Sequence, residues 1–126
     1  MVVCKAQESG GFAACTNWTG NNPFAGARGT YFADYDGDGR VDAIKIETTG
    51  TGTGFDVIVG YSTGSSFLSD NRQASNFQSD RGIAFAKLDA TNRDYLVTVR
   101  ENGVWVLNSN TGINYNATNG PFYGLR

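Results

Sequence analysis

The stretch Gly29-Thr30-Tyr31-Phe32-Ala33-Asp34-Tyr35-Asp36-Gly37-Asp38-Gly39-Arg40-Val41-Asp42-Ala43-Ile44-Lys45-Ile46 decides the fold of this 126-residue chain. Tyr31-Phe32-Ala33 and Ala43-Ile44-Lys45-Ile46 are short aromatic or β-branched runs suited to strands. Between them, four of the 12 carboxylates fall within nine residues. Asp34, Asp36, Asp38 and Asp42 take loop positions 1, 3, 5 and 9, which turns carboxylates toward one concave side. The backbone carbonyl of Arg40 at position 7 can complete the ring, and Gly39 at position 6 allows the sharp turn. Hard oxygen donors in that number suit Ca²⁺, which takes about six to eight, better than Mg²⁺ with its strict octahedron. A solvated acidic loop is the plainer alternative, but four bare charges in a tight turn repel one another. An EF-hand does not fit: the flanks read as strands, and position 12 is Lys45 where that motif needs a bidentate Glu.

Outward from the loop, the chain repeats itself. Gly29-Thr30-Tyr31-Phe32-Ala33-Asp34 is echoed by Gly82-Ile83-Ala84-Phe85-Ala86-Lys87, which sets Phe32 and Phe85 53 positions apart. Pro23-Phe24-Ala25-Gly26-Ala27-Arg28 is echoed by Pro121-Phe122-Tyr123-Gly124-Leu125-Arg126, and Asn76-Phe77-Gln78-Ser79-Asp80-Arg81 fills the same slot between them. Arg28, Arg81 and Arg126 therefore end three repeats, at spacings of 53 and 45. Other strand-like runs are Asp56-Val57-Ile58-Val59, Tyr95-Leu96-Val97-Thr98-Val99 and Val104-Trp105-Val106-Leu107, the last two forming a hairpin across Asn102-Gly103. No stretch keeps a helical period for three turns.

The expectation is an all-β chain of four-stranded antiparallel β-propeller blades, whose usual length these repeats match. Residues 1–28 read as a half blade (its last two strands), 29–80 as a full blade with the cation loop, and 81–126 as a full blade with a degenerate loop. That makes about two and a half blades, whereas closed rings take about four to eight. The chain is therefore expected to be a piece of a longer protein, or to combine with a complementary propeller segment or with other copies of itself.

Strand–DxDxDGxxD–strand, introduced by Phe-Ala and repeated at a spacing of 53, resembles the FG-GAP (VCBS-type) repeat family. That family includes the integrin α-subunit propeller, fungal seven-bladed lectins and secreted proteins with appended repeats. The resemblance implies a propeller whose loops between strands 1 and 2 of each blade hold Ca²⁺, used mostly for adhesion or sugar recognition. Carried over by residue, it gives Asp34, Asp36, Asp38 and Asp42 as side-chain ligands and Arg40 through its carbonyl. The second loop, Lys87-Leu88-Asp89-Ala90-Thr91-Asn92-Arg93-Asp94, departs from the pattern. Lys87 stands at the first ligand position, where an ammonium can replace the cation, so one ion per chain is expected.

Composition removes other functions. There is no His, which excludes Ser-His and Cys-His catalytic pairs and His-held zinc. A net charge of −2 does not supply the clustered basic surface that nucleic acid requires. No apolar run approaches the roughly 18 residues of a helical membrane span, so no membrane insertion is expected. The two cysteines, Cys4 and Cys15, can face each other across a hairpin turned at Gly10-Gly11, and such a disulfide persists in oxidising compartments. The sequons at Asn17 and Asn116 lean the same way, toward a secreted glycoprotein.

Ligand recognition is legible only in outline. Trp18, Phe24, Phe77, Phe122 and Tyr123 cluster near the repeat ends beside Arg28, Arg81 and Arg126. Aromatic faces beside polar donors suit sugar stacking, yet large aromatics at equivalent positions of every repeat more often pack blade against blade. The expected function is that of a calcium-stabilised propeller segment of a secreted binding protein, recognising carbohydrate or acting in adhesion. The alternative is structural: accessory repeats of a larger secreted enzyme, with no ligand site of their own. An enzyme in its own right is not expected, since the only dense carboxylates are those assigned to the metal.

Overall fold

A computed structural model describes residues 1–21, 24–48, 54–68, 71–77, 81–101 and 103–107, with 71–77 and 103 described by backbone alone. The described residues contain nine strands and no helix. The strands are β1 (Val2–Val3), β2 (Thr16–Asn17), β3 (Thr30–Ala33), β4 (Asp42–Thr48), β5 (Phe55–Gly60), β6 (Asn71–Phe77), β7 (Gly82–Lys87), β8 (Asp94–Arg100) and β9 (Gly103–Leu107). They form three antiparallel sheets in sequential order, β1-β2, β3-β4-β5-β6 and β7-β8-β9. The all-β expectation holds, and each strand-like run of the sequence is a strand. The fourth strand expected for the last repeat falls in 108–126, outside the described residues.

The first sheet is smaller than its sequence suggests. Its strands are two residues each, and Cys4 and Cys15, just beyond the pair Val3↔Thr16, are joined in a disulfide with Cα atoms 4.1 Å apart. An isolated bridge Ala6↔Phe12 follows, closed around Gly10 and Gly11. The bridge Ser62↔Phe67 stands at the corresponding place between β5 and β6.

Registers of the second and third sheets coincide at the 53-residue offset. Thr30↔Lys45, Phe32↔Ala43 and Ala33↔Asp42 become Ile83↔Thr98, Phe85↔Leu96 and Ala86↔Tyr95. Because side chains alternate along a strand, each sheet presents two distinct faces. Ala33, Ile44, Ile46, Phe55, Val57 and Val59 lie on one face of the second sheet, all buried, and meet Leu96 and Leu107 of the third. Tyr31 and Phe85 pack across this interface with ring centroids 5.5 Å apart. That is the main core, and burying such side chains contributes about 1.5–3 kcal/mol each.

The opposite face of the second sheet is covered only in part. Phe24 lies over Gly60, with the Lys45 ammonium 5.1 Å from its ring centroid. Trp18 meets Phe67 edge-on at 5.1 Å, and its carbonyl accepts the Phe67 N–H at 3.1 Å, tying the first sheet to the second. Phe32, on that same face, is 56% exposed.

Candidate metal centre

The hairpin β3–β4 sets the site. Asp34 and Asp36 follow β3, Asp42 opens β4, and one carboxylate oxygen from each lies within 4.8 Å of the others. The loop between is folded by its own carboxylates. Asp34 accepts the N–H groups of Gly37 at 2.8 Å and Gly39 at 3.0 Å, and Asp36 accepts that of Asp38 at 3.1 Å. Gly39 sits at φ 85°, in the left-handed region where glycine is unstrained.

Asp42 is fully buried, and both its oxygens face backbone donors: Oδ2 accepts Tyr35 N–H at 2.9 Å and Oδ1 accepts Ser62 N–H at 2.8 Å. Burial, aided by the Asp36 and Asp38 charges, pushes its carboxyl up to about 6, against the pull of those two N–H groups. Burial, then the charges of Asp36 and Asp42, likewise raises the phenol of Tyr61 beside the triad. Among the described residues, no ammonium or guanidinium pairs with Asp34, Asp36 or Asp42. Three carboxylates converging without a cationic partner, one of them buried, form a donor set that fits a hard cation. The triad could therefore hold a metal ion.

One of the expected side-chain ligands lies apart from the other three. The Asp38 carboxylate lies outside the triad, paired with the Arg40 guanidinium and accepting Arg40 N–H at 2.8 Å. Arg40 also donates from Nε to the Ser62 carbonyl at 2.9 Å, fastening the loop to the turn after β5. Beside the triad a cleft of about 490 Å³ is lined by Asp36, Asp38, Arg40, Tyr61, Ser62, Thr63 and Leu68.

The second loop reproduces the first with different side chains. Asp89 accepts Thr91 N–H at 2.9 Å, as Asp36 accepts Asp38, and Asn92 at φ 62° matches Gly39. The Lys87 ammonium donates to the Asn92 carbonyl and lies 3.6 Å from Asp94, where the first loop has Asp34. Tyr95, in register with Asp42, donates to Asp89 at 2.5 Å. Hydrogen bonds from Thr91 and then Tyr95 hold the Asp89 carboxyl below its usual range.

The loops also touch each other. Asp34 N–H donates to Asp94 Oδ2 at 2.8 Å, and Asp94 N–H donates to the Asp34 carbonyl at 2.7 Å. Gly37, at φ 81°, abuts the second loop: a Cβ there would stand 2.7 Å from Arg93 Cγ and 2.9 Å from the Thr91 carbonyl. Asp94 is the neighbour that sequence spacing did not identify, because its contact crosses between two sheets.

Of the residues considered for a ligand, Trp18, Phe24, Arg28 and Arg81 are among the described residues. Trp18 and Phe24 are 8% and 6% exposed, so their rings are committed to packing and offer no open face for stacking. Arg28 and Arg81 are exposed, their N–H groups bonded to the carbonyls of Ile46 and Val99. The Phe77 side chain, Phe122, Tyr123, Arg126 and the Asn116 sequon lie outside the described residues. Asn17 is exposed on β2, its amide donating to the Gly20 carbonyl at 2.7 Å. No family model, no curated protein and no solved structure matches this chain.

Proposed function

We propose that the chain is a calcium-stabilised segment of a secreted, non-catalytic binding protein, built of propeller-type blades. The observation that carries this reading is the convergence of Asp34, Asp36 and Asp42, one of them buried, on a loop whose twin holds an ammonium in the equivalent place. Calcium would be held by those three carboxylates. Its charge would offset their repulsion and fix the loop that joins β3 to β4. The Cys4–Cys15 disulfide supports an oxidising, extracellular setting. The sequential antiparallel sheets and their matching registers support blades.

Calcium titration followed by thermal unfolding tests the reading. Ca²⁺ should raise the melting temperature by mass action, and Asp36→Asn with Asp42→Asn should abolish the gain. Equal melting in calcium and in chelator would overturn the cation assignment. Recognition of carbohydrate or adhesion is the proposed task of the parent protein. The burial of Trp18 and Phe24 favours the second reading, accessory scaffold without a ligand site, and a glycan array decides between the two.

A further inference from the structure

Asp34 is held from outside its own sheet. It stands just past Ala33↔Asp42, the last pair of the β3–β4 ladder. Its N–H donates to Asp94 Oδ2 at 2.8 Å, and its carbonyl accepts the Asp94 N–H at 2.7 Å. Its own carboxylate accepts the N–H groups of Gly37 and Gly39 and converges with those of Asp36 and Asp42. One residue thus carries the first loop on its side chain and the second loop on its backbone.

Asp94 is suited to that support. It opens β8 in register with Lys87, whose ammonium lies 3.6 Å from Asp94 Oδ1, while Oδ2 takes the Asp34 N–H. A bond from N–H to an ionised carboxylate is stronger than one between neutral groups. The Asp94 carboxylate is not a member of the converging triad, so it bears on the site through the Asp34 backbone. Gly37 abuts Arg93 and Thr91, which gives the two loops a second point of contact.

We propose that Asp94 is a positioning residue for cation binding at the first loop, and that calcium bound there locks the third sheet against the second. The inference rests on the calcium reading above and adds the second loop to it. The coupling is reciprocal: the factor by which docking of the second loop raises calcium affinity is the factor by which calcium favours the docking.

Calorimetric calcium titration of the full chain and two variants tests this. Asp94→Ala removes the acceptor of the Asp34 N–H and should weaken calcium binding about tenfold, the effect of one charge-assisted hydrogen bond. Asp94→Asn keeps an acceptor oxygen, and the Lys87 side chain, 53% exposed, can turn to water. Its affinity should return to within about threefold of the unaltered chain. Both variants remove the same charge. Equal losses would mean that Asp94 acts on the cation by charge alone and would overturn the positioning role, as would full affinity in folded Asp94→Ala.

Amide exchange tests the coupling without a variant. Saturation with calcium should slow exchange of the Asp94 N–H about tenfold, by the same reciprocity. The Ala13 N–H, bonded to the Lys5 carbonyl on the first hairpin, should keep its rate. An Asp94 amide indifferent to calcium would overturn the coupling even if Asp94→Ala fails to fold. An unaltered chain that binds no calcium would instead overturn the cation reading itself, and this inference with it.

Discussion

Without a cation, Asp42 should make the fold less stable as pH rises. Its carboxyl lies at about 6 in the folded chain against 3.8 for an ordinary Asp, because it is buried beside other carboxylates. At about 1.4 kcal/mol per pH unit, the gap makes ionisation on the order of 3 kcal/mol more costly in the fold than in the unfolded chain. The folded state holds the proton more tightly, so this stability is complete below about pH 3.8 and lost as pH climbs through 6. Asp89 works in the other direction, but its lowered carboxyl acts at lower pH and leaves that window clear. Thermal unfolding in chelator between pH 4 and 7 should therefore show a melting temperature falling by roughly 10 °C for a domain of this size. Calcium should remove the fall, since it supplies the charge that the buried carboxylate lacks. Asp42→Asn, which cannot ionise, isolates the effect: its difference from the unaltered chain should slope across the window. A flat difference would refute the assignment of a costly buried charge to Asp42.

Two further outcomes follow from covalent and steric features. Replacing Cys4 and Cys15 by Ser should cost about 2–3 kcal/mol in urea unfolding, the chain-entropy value for a loop of 11 positions; an unchanged midpoint would show that the first hairpin contributes nothing. Gly37→Ala should cost about 1–2 kcal/mol from its left-handed backbone alone. It should also lower calcium affinity by pushing the two loops apart, which calorimetric titration of the folded variant would read directly.

The parts of the fold legible in the sequence are those whose signal is local. β4, β5, β8 and β9 are β-branched runs closed by Gly, Asn and Thr, and they stand where those runs stand. The spacing of Asp34, Asp36 and Asp42 is local in the same way, and by itself it implies a concave loop. β6 carries no such signal, because Asn71-Arg72-Gln73-Ala74-Ser75-Asn76-Phe77 is a polar strand paired on one side, with register shifts against β5. Asp38 fits the spacing as well as its neighbours do. Arg40, two residues on, supplies a guanidinium that takes its carboxylate, and spacing cannot rank a neighbour's charge against a metal. Trp18 and Phe24 read as packing more readily than as sugar platforms, but only the sheet brought against them decides, since burial depends on it. The Asp34–Asp94 contact joins residues 60 positions apart and is visible only once the sheets are stacked.

The eight residues between Ala33 and Asp42 and the eight between Ala86 and Tyr95 have the same length and different chemistry. Lys87, Thr91 and Tyr95 occupy places that belong to Asp in the first loop, and the turn still forms. Residue identity at these places is therefore open to drift, and a cation site can be gained or retired by a few substitutions. Length is not so free. An insertion or deletion in either loop would move Gly37 out of its close approach to Arg93 and Thr91, where the two loops pack together. Lineages of this chain should accordingly vary in how many of their loops bind a cation, while every loop keeps the same count of residues.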